Sequence, residues 1–201
     1  MKLEQLRTKL TYQTLLLGGF CLLGSALLSF GDVKTKDVIA TRLAEDLKAS
    51  LQQVIPAQYY DNDLLQDTVL INSETLVYLA KKDGKVNAVA FMVTTNSGYS
   101  GAIQSIIGID KEGKILGTRV ISHAETPGLG DKIEEAKSDW ILSFNGHSLS
   151  DLVEAQWKVK KDGGVFDQFS GATITPRAVV GSVYQGLQFF KQHRDELLTN
   201  P

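Results

Sequence analysis

Asp167-Gln168-Phe169-Ser170-Gly171-Ala172-Thr173-Ile174-Thr175-Pro176-Arg177 sets a Gly-Ala turn, with hydroxyls on both sides, directly against a helix start. Thr175 suits the N-cap position and Pro176 the first helical position, where a missing N–H is not needed. A helix N-terminus carries free N–H groups and about half a positive charge, so it favours a phosphate. The stretch therefore offers an exposed hydroxyl beside a place where a phosphate can rest. Downstream, Val179, Val183, Leu187 and Phe190 form an apolar stripe, predicting a long closing helix over 176–198 packed on a core.

Upstream of that site the spacing predicts strands. Residues 76–80 and 86–95 flank Asp83-Gly84, a strong hairpin turn, and 101–109 and 114–122 flank a turn from Asp110 to Gly113. Such hairpins favour antiparallel pairing. Residues 131–144 read as a helix with Ile133, Ala136, Trp140 and Ile141 on one face, 153–159 as a short strand, and 160–170 as loop. Strands in one block with helices at either end make an α+β domain. Before it, 33–54 reads as a helix ended by Pro56, and the polar stretch up to Asn72 as loop and short turns.

At the other end, no charged residue occurs between Lys9 and Asp32. About 20 apolar residues span a bilayer, and 10–31 just reaches that length. A removable signal peptide competes, because basic residues precede a short apolar core. The small-x-small pattern at Gly24-Ser25-Ala26 is weak, and the bulky Phe20 before Cys21 defeats a lipoprotein box. A retained anchor is the expectation. Lys2, Arg7 and Lys9 lie before the span and Lys34, Lys36, Arg42 and Lys48 after it, so charge alone leaves the orientation open.

Composition excludes several classes. A net charge of −2 over 201 residues, without a basic run, gives no nucleic-acid surface. The single cysteine, Cys21, allows neither an internal disulfide nor a cysteine-based metal site. His123, His147 and His193 lack metal-ligand spacing. No nucleophile elbow, phosphate-binding P-loop or zinc-protease helix occurs.

Two segments remain that packing alone does not demand. His123-Ala124-Glu125-Thr126-Pro127-Gly128-Leu129-Gly130-Asp131-Lys132 breaks a strand with a proline and two glycines and then turns into the next element. Its glycines allow backbone N–H groups to approach a flat ligand, with Leu129 presenting one apolar side chain. Gly128-Leu129-Gly130 is not a dinucleotide fingerprint, since Ile133 stands where a third glycine belongs. Ser97-Gly98-Tyr99-Ser100-Gly101 is a similar small-residue loop before a strand.

Together these motifs resemble the G subunit of the Rnf (Rsx) ion-translocating electron-transport complex. The resemblance rests on Gly98-Tyr99-Ser100-Gly101-Ala102-Ile103-Gln104, on Glu125 to Lys132, and on the run from Trp157 to Val180 that contains Lys160-Lys161-Asp162-Gly163-Gly164. The C subunit of the sodium-translocating NADH:quinone oxidoreductase shares the Ser-Gly-Ala-Thr site and the Glu-Thr-Pro-Gly-Leu-Gly run.

The resemblance implies a covalent FMN, joined by a flavin transferase to Thr173 through a phosphoester, with Asp167 as part of the recognition pattern. Ser170, Gly171, Ala172, Thr175 and Lys161 would surround the attachment point. Glu125, Thr126, Gly128, Leu129 and Gly130 would meet the isoalloxazine ring. It further implies a single span in the bacterial inner membrane, a periplasmic domain, and the other Rnf subunits, the transferase and membrane lipid as partners. The chain would carry electrons without turning over a substrate by itself.

The expected organisation is a cytoplasmic N-terminus (1–9), a transmembrane helix (10–31), a helix with connecting segment (32–72), and a mainly antiparallel-sheet FMN-binding domain with flanking helices (73–201). A non-catalytic periplasmic assembly module, in which the Ser-Gly-Ala-Thr loop is only structural, is the competing expectation.

Overall fold

The computed structural model describes residues 10–199, so the expected cytoplasmic N-terminus lies outside the described residues. The chain divides into two compact units between Asp46 and Leu47. Helix α1 (Leu10–Val54) makes up the described part of the first unit and ends within the second; it exposes Leu15, Leu17, Phe20, Leu22, Leu27 and Phe30. It is long and apolar enough to cross a membrane. Two helices were expected here, an anchor and a second over 33–54; a single unbroken one is observed. Nothing near Gly31 interrupts the ladder, and the Thr35 hydroxyl donates back to the Gly31 carbonyl at 2.9 Å, inside the helix.

The second unit is built on a five-stranded antiparallel sheet in sequential order: β1 (Thr68–Ile71), β2 (Thr75–Lys82), β3 (Lys85–Thr95), β4 (Ile103–Asp110) and β5 (Ile115–Ser122). The β2–β3 hairpin turns at Asp83 and Gly84, both left-handed (φ 52° and 70°), as a tight two-residue turn requires. At the β4–β5 turn the Asp110 carboxylate accepts the N–H groups of Glu112 and Lys114 at 3.0 and 2.8 Å.

Alternation along the strands gives the sheet two buried faces. Val77, Leu79, Val89, Phe91, Ile107 and Ile109 join the core with helix α2 (Ile174–Leu198), which contributes Val179, Val183, Leu187 and Phe190. On the opposite face Tyr78, Ala80, Ala88, Ala90 and Ile106 pack with Leu51, Val54 and Ile55 at the end of α1.

Three expectations are corrected. Residues 131–144 form two short 3₁₀ turns, Asp131–Ile133 and Asp139–Phe144, because extended Ser138 caps the second by accepting the Trp140 N–H at 3.3 Å. Residues 153–159 do not make a strand: Val153 is exposed, Glu154–Gln156 turns, and only Val159 bridges to Phe166. β1 falls within the stretch read as loop, where it pairs with β2 from Thr68↔Tyr78 to Ile71↔Thr75.

Candidate functional site

The 166–173 segment is pegged by aromatic side chains. Phe166 lies against Phe144 (ring centroids 4.6 Å apart) and Trp157 (5.4 Å), and Phe169 stands edge-on to Trp140 at 5.0 Å. The Trp140 indole N–H donates to the Asp167 carbonyl at 2.8 Å. Asp167, between these pegs, and Ser170, just after them, are exposed, and the Asp167 carboxylate accepts from Lys160 Nζ at 2.6 Å. Gly171 then turns with φ 82°, and a Cβ there would press on Leu129 Cδ2 at 3.1 Å.

That turn and the Glu125–Gly130 loop wall a cleft of about 330 Å³, whose lining is Tyr99, Glu125, Thr126, Leu129, Gly130 and the five residues from Gly171 to Thr175. Gly130 is set so close that a Cβ would meet Thr175 Oγ1 at 2.9 Å and Glu125 Cβ at 3.0 Å. Tyr99, Leu129 and Ile174, all exposed, give it an apolar rim. The structure thus brings together Glu125, Thr126, Leu129, Gly130, Gly171, Ala172, Thr173 and Thr175. Gly128, Lys161, Asp167 and Ser170 lie outside the lining. The Gly128 N–H is turned to the Asp131 carboxylate, which it and Lys137 hold below the usual carboxylate range.

Thr175 does not cap the helix. α2 begins at Ile174, Thr173 is the residue before it with helical φ and ψ, and no side chain caps the start. The Thr175 side chain is buried and donates its hydroxyl proton to Glu125 Oε2. Thr173 is exposed, and its carbonyl accepts from Arg177 Nη1 at 2.9 Å.

Arg177 also grips Asp162 with two hydrogen bonds, at 2.5 and 3.0 Å. That contact, with Lys161 and Lys158 nearby, holds the Asp162 carboxyl below the usual carboxylate range. A depressed folded pKa stabilises the fold above the ordinary value, and the stabilisation is lost as pH falls through the folded value. Asp162→Asn should therefore lower the melting temperature slightly at neutral pH, and the two profiles should converge as pH falls below about 4, giving the variant the flatter acid limb.

Two signals escaped the sequence reading. Tyr99 lines the cleft, which its place between Gly98 and Ser100 hinted at, and Phe166, Phe169 and Trp140 carry the loop without any local motif.

A cleft formed by these two loops defines the class. The FMN-binding domain family matches residues 98–188, which include the whole cleft lining. Over a longer span the chain is 53% identical to the G subunit of the ion-translocating oxidoreductase complex of Cereibacter sphaeroides, covering 92% of this chain and 85% of that one. It is 46% identical to the corresponding G subunit from Vibrio atlanticus, covering 93% of each. The chain belongs to the family of G subunits of Rnf-type ion-translocating oxidoreductase complexes. It also resembles the crystal structure of the C subunit of the Na(+)-translocating NADH-quinone reductase from Parabacteroides distasonis, at 24% identity and a TM-score of 0.48 over 70% of this chain and 69% of that one.

Proposed function

We propose that this chain is a membrane-anchored electron carrier of an Rnf-type complex, with FMN joined to Thr173 by a phosphoester. The observation that carries the reading is the single cleft formed by two loops far apart in sequence, with the exposed Thr173 in its wall. The residues present fit the group. Gly130 and Gly171 leave room that a side chain would fill, Tyr99 and Leu129 offer apolar surface, and buried Glu125 supplies a polar floor.

FMN, when bound, supplies one- and two-electron chemistry, and the protein's part is to bind, orient and tune. Thr173 holds the phosphate end beside the first turn of α2, where the free N–H groups favour negative charge. Lys161, beside Asp162 in the turn Lys160–Asp162, and Ser170 add polar surroundings. Leu129 would meet the ring face and Thr126 and Gly130 its polar edge, while Gly128, with φ 77°, shapes the loop. The partly open rim leaves an edge for a redox partner.

The apolar part of α1 is the anchor, placing the chain in the inner membrane with residues 1–9 cytoplasmic and the domain periplasmic. Its partners are then the other subunits of the complex, the flavin transferase during maturation, and lipid. The domain proper occupies 73–201, behind the connecting segment 32–72, which lends it β1 and the end of α1.

The test is direct. The full chain made together with its transferase should fluoresce under ultraviolet light on a denaturing gel, because only a covalent flavin survives unfolding. A dark band would leave the non-catalytic module as the reading. Asp167→Ala should lower flavin occupancy per protein well below the parent. Stability should change by less than about 1 kcal/mol, since Asp167 and its partner Lys160 are both exposed. Equal occupancy would reduce Asp167 to a turn residue.

A further inference from the structure

Glu125 has only 4% of its surface exposed, yet it lines the cleft. Its Oε1 accepts the Ser100 N–H at 3.0 Å and its Oε2 accepts the Thr175 hydroxyl. It therefore ties together the Gly98–Gly101 loop, its own loop and the first turn of α2. The clasp is tight: a Cβ on Gly98 would fall on the Gly101 carbonyl and come within 2.9 Å of Glu125 Oε1.

Among the described residues no cation stands within ion-pair distance of this carboxylate. Its neighbour His123 meets the Glu125 N–H at Nδ1 (3.0 Å) and turns Nε2 to Glu134 at 2.9 Å, away from the Glu125 carboxylate. Two neutral donors are all that hold the buried charge.

We propose that Glu125 is a positioning residue whose unpaired buried charge lowers the reduction potential of the flavin in this cleft, an inference that rests on the flavin reading above. An electron delivered to a flavin adds negative charge whenever no proton accompanies it. A fixed carboxylate in the same low-dielectric cleft opposes that charge and favours the oxidised form. The Ser100 and Thr175 hydrogen bonds hold the carboxylate in place and place Tyr99 at the rim.

The experiment is a dye-mediated titration with dithionite of the full-length holoprotein in detergent, with covalent occupancy read from gel fluorescence. Glu125→Gln keeps the shape and can still accept from Ser100 or Thr175. It should raise the midpoint potential, increasing the reduced-to-oxidised ratio at fixed ambient potential by about tenfold or more. Glu125→Asp, which keeps the charge, should stay nearer the parent. Equal shifts in the two variants, or no shift in the glutamine variant at full occupancy, would overturn the proposal. If the glutamine variant does not fold, Thr175→Val decides. Removing a hydroxyl that partly offsets the charge should move the potential negative, and an unchanged or more positive value would overturn the inference. A parent protein without flavin would instead overturn the flavin reading itself.

Discussion

Thr173→Ala should reduce the covalent flavin signal to background while the domain stays folded. A phosphoester needs one hydroxyl, and Thr173 presents an exposed one in the cleft wall: its side chain makes no capping bond, and Arg177 holds only its carbonyl. Losing the side chain therefore sacrifices no cap, and the melting temperature should move by no more than about 2–4 °C, the equivalent of roughly 1 kcal/mol. Thr173→Ser should restore the fluorescent band. The neighbouring hydroxyls differ in kind. Thr175 is 1% exposed and already donates to Glu125, so it is closed to an incoming phosphate. Ser170 is exposed outside the cleft lining and Thr126 is exposed within it, so a Thr173→Ala protein that still fluoresces would point to one of these two.

Local chemistry announced the elements that local chemistry builds. Asp83-Gly84 fixes a turn by backbone conformation, and the stripe from Val179 to Phe190 fixes the buried side of α2. β1 was not legible because it is four residues long with only Ile71 buried, and pairing with β2, rather than any pattern of its own, makes it a strand. The 131–144 helix failed because Ser138 caps a fresh turn in mid-pattern. At the site, the Ser-Gly-Ala-Thr turn and the Gly-Leu-Gly loop were each visible alone. That they share one cleft follows from the sheet and α2. The part taken by Thr175 could not be read locally, because its partner Glu125 lies 50 residues earlier. The three segments that clasp Glu125 meet only in the folded chain.

Gly108→Ala should be a costly single-methyl change, lowering stability by about 3 kcal/mol, the upper end for overpacking. Gly108 on β4 pairs with Gly117 on β5, and together they form a flat seat for the last turn of α1. A Cβ on Gly108 would fall on the Val54 carbonyl oxygen, well inside van der Waals contact, and one on Gly117 would lie 2.7 Å from Val54 Cα. The obstruction is backbone, so no rotamer change relieves it. Relief requires lifting the helix end, which uncovers Leu51, Val54 and Ile55, each wholly buried against Tyr78, Ala90 and Ile106. The full chain in detergent should lose roughly 6–12 °C in melting temperature. Gly181→Ala is the control. Gly181 lies within α2 with nothing inside 4 Å of a new Cβ, so the change should be neutral or stabilising by about 0.5–1 kcal/mol. If both variants melt with the parent, Val54 does not rest on β4, and the second core has some other seat.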